Sequence, residues 1–183
     1  MGNGLTLPLA QRILEKVKKA GIVGLRRGER LIVVVQERGC IEEACCLKEL
    51  ARRSQQEGVR EIWIDLENCS YVDSTFLGIM VGLAMFMGKQ NGTVRVVKAS
   101  VRSREAMAVL GVDRLLGLCS EASGIEGEKV EIPESGPTNR QLAKALVAEA
   151  HRNLIEWDPG NAGRFQPVLE LLGTPGTNMG QSS

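Results

Sequence analysis

The chain has 183 residues, enough for one domain of ordinary size with appended elements or for two small ones. Its 23 Lys and Arg residues balance 22 Asp and Glu residues, and the formal net charge of +1 gives no electrostatic footprint for nucleic acid or for a membrane surface. Hydrophobic residues make up 43% of the chain and aromatic residues only 3%, so the core must be aliphatic.

The sequence also indicates in which cellular compartment the protein is expected. The N-terminus lacks the charged start and apolar run of a secretion signal, and the longest apolar stretch, 76–87, is shorter than the roughly 20 residues of a bilayer span. An odd number of cysteines without zinc-type spacing is typical of free thiols in a reducing cytosol. We therefore expect a cytoplasmic protein without membrane insertion, metal or cofactor. The five cysteines are Cys40, Cys45, Cys46, Cys69 and Cys119.

In chain order, residues 1–21 form an N-terminal amphipathic segment, predicted as a short helix packed on the domain or as a basic arm that docks a partner. Residues 22–25 and 30–36 predict two strands joined by a turn. Residues 42–57 predict a helix, and Gly58 is a natural residue to end it.

The next elements alternate between strand and helix. Residues 61–66 predict a strand, 75–88 a helix, and 93–98 another strand, after which Ser100 can cap a third helix. Strands that alternate with helices of this length imply crossover connections and a mainly parallel sheet. Residues 22–120 are therefore predicted to form one α/β domain, with four to five strands flanked by helices.

The C-terminal third has a different composition. Residues 121–137 are rich in Gly, Ser, Glu and Pro and are predicted to be a linker. Residues 138–173 predict a helical extension that opens with a capping box, in which Thr138 is followed three residues later by Gln141. The tail, 174–183, has the composition of disorder.

The sequence lacks the residue patterns that would indicate catalysis. Nucleophilic catalysis by serine needs a base within hydrogen-bond reach, and the single histidine, His151, lies roughly opposite the apolar stripe of its helix, where a surface position is expected. Neither a phosphate-binding Gly-x-x-x-x-Gly-Lys run nor a Gly-x-Gly-x-x-Gly run that opens a helix after a strand is present. We therefore predict that the chain is not an enzyme.

The most informative segment is the turn that contains Asp73 and Ser74. Ser74 falls at the N-cap or in the first turn of a helix, where N–H groups lack partners and the helix dipole is positive. That helix is apolar nearly all round, so half of its surface can cover the sheet and the rest must meet another helix or a partner. Gly78 and Gly82, four residues apart, would admit another backbone. Plain capping is the alternative explanation for Asp73 and Ser74.

The run 62–80, with its Ile-Trp-Ile-Asp-Leu, Asp-Ser-Thr and Leu-Gly segments, resembles the signature of STAS domains, the anti-sigma factor antagonist (anti-anti-sigma factor) family. The similarity extends through 92–100 and the helix that ends near 116, and it covers roughly residues 22–120. The resemblance implies a STAS-like α/β fold, with the C-terminal helical extension outside the core signature.

The resemblance also implies a phosphorylation switch. In this family the serine after the aspartate is phosphorylated by an anti-sigma factor that is also a serine kinase of the GHKL type, and a phosphatase counteracts it. Carried over by position, the phosphoacceptor is Ser74, with Thr75 as the less favoured choice. Phe76 stands where the family has glycine, which predicts a bulky ring at the rim of the site. The implied partner-binding residues are Glu42, Tyr71, Asp73, Thr75, Phe76, Leu77, Gly78, Met80 and Ser100.

Two other functions stay open at this point. One is a constitutive interaction module, such as a STAS subunit of a transporter or of a stressosome-like assembly, in which Ser74 only caps its helix. The other is a sensor of a small ligand or nucleotide. A homodimer also stays open.

Overall fold

In the computed structural model, the described residues are 21–120, 127–133, 137 and 139–173. The described strands are β1 (Ile22–Arg27), β2 (Arg30–Val35), β3 (Glu37–Gly39), β4 (Glu61–Asp65), β5 (Cys69–Val72), β6 (Thr93–Val97), β7 (Gly117–Cys119) and β8 (Glu128–Val130). The described helices are α1 (Ile41–Gln56), α2 (Ser74–Gly88), α3 (Val101–Val109), α4 (Arg140–Trp157) and α5 (Ala162–Leu171). The predictions for residues 1–20 and 174–183 concern segments outside the described residues.

Six strands form the main sheet, in the order β7-β6-β4-β2-β1-β8. The strands β2, β4, β6 and β7 run parallel to one another, whereas β1 pairs antiparallel with both β2 and β8. The predicted mainly parallel sheet is confirmed, with one or two more strands than expected. Part of the predicted linker, 121–137, forms a strand instead, because Glu128–Val130 is β8 and pairs with the edge of β1.

The core lies between one face of this sheet and the helices α1 and α2. All of β2 from Leu31 to Val35 is buried, as its unbroken run of branched aliphatic residues predicts. The tight turn between β1 and β2 uses Gly28 with φ of 59°, a left-handed conformation that glycine adopts without steric penalty. The two short strands β3 and β5 pair in parallel beside the main sheet, and they lead into α1 and α2 respectively.

The C-terminal helices pack on this core. The helix α4 lies along α2, and α5 folds back against α4. The Trp157 indole donates a hydrogen bond of 2.8 Å to the Gly111 carbonyl, and the buried Asn161 amide donates bonds of 3.1 Å to the carbonyls of Leu110 and Leu154. The helical extension is therefore part of the same hydrophobic core as the sheet. The observed N-cap of α4 is Asn139, one residue after the predicted cap, Thr138.

Candidate functional site

Ser74 is the first residue of α2, directly after the exit of β5. The preceding residue, Asp73, is the N-cap, and its carboxylate accepts a hydrogen bond of 2.8 Å from the Phe76 backbone N–H. The Asp73 backbone N–H donates to the Gly39 carbonyl at 2.9 Å, which ties this turn to the end of β3. The predicted position of Ser74 in the first turn of the helix is confirmed, and capping is performed by Asp73.

The Asp73 carboxyl is half-buried, and desolvation raises its pKa above the ordinary value. Hydrogen bonds from the backbone of Phe76 and Thr75 and from the Cys40 side chain act in the opposite direction. Burial, with a further contribution from the Asp73 charge, raises the pKa of the Cys40 thiol to about 11. Cys40 is therefore a protonated donor at neutral pH, not a reactive thiolate.

The Ser74 hydroxyl lies 3.0 Å from Nε2 of His151, a residue 77 positions away in α4. His151 is 5% exposed, so the prediction of a surface histidine is wrong. Its ring is enclosed because α4 packs against α2 on one side, while Phe165 of α5 stacks on the ring at 4.5 Å on the other. Desolvation lowers the pKa of His151 and favours the neutral imidazole.

The contact between Ser74 and His151 has the distance of a nucleophile and its base, but its surroundings differ from those of a hydrolase. The His151 Nδ1 atom is buried and has no hydrogen-bond partner among the described residues, so no carboxylate orients the ring there. The Phe76 backbone N–H, a donor of the first turn, is already bonded to Asp73. The arrangement holds the Ser74 hydroxyl in place.

Some of the predicted partner-binding residues lie at the surface. Glu42 and Tyr71 are exposed, while Asp73 and Ser100 are partly exposed. The guanidinium of Arg102, in α3, lies 5.3 Å from the centroid of the Tyr71 ring, a cation–π distance. The structure thus gives the entrance of α2 an accessible rim with both signs of charge and one aromatic ring.

The other predicted partner-binding residues are buried: Thr75, Phe76, Leu77, Gly78 and Met80. The expectation of a bulky ring at the rim is wrong, because Phe76 is 0% exposed. Its ring fills the space beneath Gly39, where an added Cβ would lie 2.7 Å from Cδ1 of the ring. The absence of a side chain at position 39 thus makes room for the aromatic ring at position 76.

The prediction that Gly78 and Gly82 admit another backbone is confirmed, and the neighbour is α4. A Cβ added at Gly78 would lie 2.8 Å from the Cα of Ala150 and nearer still to the Ala150 carbonyl oxygen. The Asn153 side chain donates a hydrogen bond of 3.1 Å to the Gly78 carbonyl. Asn153 and His151 were not predicted to lie at this site, although Gly78 and Gly82 indicated that another helix would pack there.

Within the part of the chain that the structure describes, no helix has the length and apolar character needed to cross a membrane. The same described residues include no cluster of three or more His, Cys, Asp or Glu side chains able to hold a metal ion.

The chain is similar to proteins of a known family. The family model of the STAS domain matches residues 14–123, which include the strands β1 to β7 and the helices α1, α2 and α3. An anti-sigma-B factor antagonist from Staphylococcus aureus is 33% identical over 92 residues, a match that covers 46% of this chain and 73% of the relative. The chain therefore belongs to the STAS domain family, and it resembles the anti-sigma factor antagonists within that family.

A solved structure shares the fold. A Thermotoga maritima protein described as an anti-sigma factor antagonist superposes with a TM-score of 0.51 at 18% identity, over 55% of this chain and 86% of the other. The unphosphorylated anti-sigma factor antagonist SpoIIAA gives a TM-score of 0.49 at 15% identity, over 54% of this chain and 89% of the other. At 18% identity the likeness to the Thermotoga maritima protein concerns the α/β STAS fold alone.

Proposed function

We propose that this chain is an anti-sigma factor antagonist that is switched by phosphorylation of Ser74. The unphosphorylated form binds an anti-sigma factor that is also a serine kinase of the GHKL type, and a phosphatase reverses the modification. The observation that carries the proposal is the position of Ser74, directly after Asp73 at the first residue of α2, in a chain 33% identical over 92 residues to an anti-sigma-B factor antagonist. This pathway places the protein in the cytoplasm.

The physical basis of the switch is charge. A phosphate on Ser74 adds about −1.5 to −2 charges at neutral pH. The N-terminus of α2 tolerates a negative charge, with a favourable contribution of about 0.3–1 kcal/mol. A partner that covers the rim formed by Glu42, Tyr71 and Ser100 would have to desolvate the phosphate, at a larger cost. The fold is therefore expected to survive the modification while the complex dissociates.

We also propose that the chain is not an enzyme, despite the contact between Ser74 and His151. A serine nucleophile needs a base that is oriented by a third group and needs donors for the developing oxyanion. His151 has no partner at Nδ1 among the described residues, and the Phe76 N–H is bonded to Asp73. The pair supports a positioning role for His151.

The test is a binding measurement with the partner purified from the host. Ser74→Asp should abolish binding and leave the melting temperature within a few degrees of the wild-type value. Thr93→Asp is the matched control, because Thr93 is exposed at the start of β6, at the opposite end of the parallel strands, and the change in charge is the same. If Ser74→Asp binds the partner as tightly as Thr93→Asp does, the proposed phosphorylation switch is wrong.

A second function, the constitutive interaction module, is favoured by one observation. The hydroxyl of Ser74 is half-buried and engaged by His151, as expected of a residue with a structural role. In that case the chain forms a stable complex with its partner, and the Ser74 peptide is never phosphorylated in cells. Mass spectrometry of the isolated complex separates the two functions.

A further inference from the structure

The helix α4 covers the residue on which the proposed switch depends. His151 of α4 holds the Ser74 hydroxyl at 3.0 Å. Phe165 of α5 stacks on the same imidazole with an interplanar angle of 10°, so one face of the His151 ring is covered by the Phe165 ring. The C-terminal helices thus engage the same oxygen that would accept the phosphoryl group.

The contact between α2 and α4 at Gly78 leaves no room for another molecule. The Ala150 backbone lies directly on Gly78, and the Asn153 amide fills the space above Gly82 while it donates to the Gly78 carbonyl at 3.1 Å. Because the two helices touch through backbone atoms, a protein that docks on this face of α2 must displace α4.

Phosphoryl transfer to Ser74 needs open space around its oxygen. The attacking oxygen and the leaving oxygen stand roughly in line across the transferred phosphorus, and a base of the kinase must accept the hydroxyl proton. While α4 is packed on α2, His151 occupies one hydrogen-bonding direction of the Ser74 oxygen. The ring must therefore leave Ser74 before the kinase can arrange its own base there.

The forces that hold α4 on α2 are suited to reversible opening. The ion pair between Lys48 and Glu149 joins α1 to α4, but its side chains are 44% and 40% exposed, so its contribution is small. The buried Nδ1 of His151 has no partner among the described residues, which opposes closure. Closure therefore rests mainly on buried apolar side chains of α4, such as Leu154 at 0% exposure.

We propose that α4 is an intramolecular cover over Ser74, and that α4 must separate from α2 before Ser74 can be phosphorylated or a partner can dock on α2. The inference rests on the proposed function for its biological consequence. The opening itself is a property of the chain alone and can be measured without a partner.

The test uses full-length Ser74→Cys protein and the alkylating probe N-ethylmaleimide, with the rate at each cysteine read from peptide masses. Leu154→Ala is added to loosen the inner face of α4, and Leu142→Ala is the matched control, because Leu142 lies on the same helix and is 51% exposed. We expect Leu154→Ala to raise the alkylation rate at position 74 by at least about tenfold, and Leu142→Ala to change it by less than about twofold.

The internal reference is Cys69, which is 2% exposed in β5. The cover requires that Cys69 stays protected while position 74 becomes accessible. If Leu154→Ala leaves the alkylation rate at position 74 unchanged, the proposal that α4 covers Ser74 is wrong. If the rates at positions 69 and 74 rise together, the protein opens as one unit, and a cover that moves independently is also contradicted.

A second readout separates this inference from the proposed function. With serine at position 74, Leu154→Ala should increase the phosphorylated fraction of Ser74 in host cells, and Leu142→Ala should not. If alkylation behaves as expected but Ser74 is never phosphorylated, the cover stands and the phosphorylation switch fails. If Ser74 is phosphorylated but Leu154→Ala alters neither alkylation nor phosphorylation, the switch stands and the cover fails.

Discussion

The backbone of Ala150 lies against Gly78 so closely that a side chain at position 78 would not fit between α2 and α4. Glycine weakens a helix interior by about 1 kcal/mol relative to alanine, so its presence in α2 calls for a packing reason. The close approach of α4 supplies that reason.

This contact predicts opposite effects for two glycine substitutions in α2. Gly78→Ala should lower the free energy of unfolding by about 1–3 kcal/mol, because the new methyl group overlaps the Ala150 backbone. Gly88→Ala should be neutral or stabilise the protein by up to about 1 kcal/mol, because an added Cβ there meets nothing within 4 Å. Urea unfolding of both variants measures the difference. Equal effects would mean that α4 is not packed on Gly78.

The burial of Phe76 predicts a large effect of truncation. Phe76→Ala should lower the free energy of unfolding by about 3–5 kcal/mol, since it leaves a cavity beneath Gly39. Phe86→Ala is the matched control, because Phe86 lies in the same helix with its side chain 48% exposed, and its loss should be much smaller. Thermal unfolding compares the two. A similar loss at both positions would contradict the inward orientation of Phe76.

The burial of His151 predicts a pH dependence of stability. Because burial lowers its pKa in the folded state, the unfolded chain takes up the proton first as the pH falls. The stabilisation by neutral His151 is thus fully present above about pH 6.5 and is lost as the pH falls below that value, with a limiting slope of about 1.4 kcal/mol per pH unit.

The matched control is His151→Gln, which keeps a side chain able to hydrogen-bond with Ser74 but has no titration. His151 is the only histidine in the chain, so the difference between the two proteins from pH 7.5 to pH 5.5 reports on this residue. Asp73, whose pKa is raised, is present in both proteins, and its contribution cancels to a first approximation. Parallel stability curves would show that the ring is not desolvated.

Local pattern was sufficient to predict much of the fold. The turn at Gly28, the strand 61–66, and the first turn of α2 at Ser74 all follow from short-range signals, and the structure agrees to within a residue or two. The helix N-cap at Ser100 was predicted from the same kind of signal and accepts a hydrogen bond of 3.2 Å from the Ser103 backbone N–H. These features depend on residues that are neighbours in sequence.

The features that were missed depend on which elements meet in space. His151 looked exposed because it lies off the apolar stripe of α4, but α4 is enclosed by both α2 and α5, so its buried face is wider than one stripe. Phe76 was expected at the rim because it follows Ser74 and Thr75 at the position where the family has glycine. The pattern of α2 does not show that Gly39 packs on its ring. Strand β8 has only three residues, and it forms because it pairs with the edge of β1. The polar composition of 121–137 therefore gave no strand signal.

The phosphorylation state of the chain in its host tests the proposed switch at Ser74 most directly. Trypsin is expected to release residues 61–89 as one peptide, which contains Ser70, Ser74 and Thr75, so fragment ions must locate the phosphate. We expect a phosphate on Ser74, its loss in Ser74→Ala, and its absence from the fraction that copurifies with the partner. A partner-bound fraction with phosphate on Ser74, or a protein never modified there, would contradict the switch.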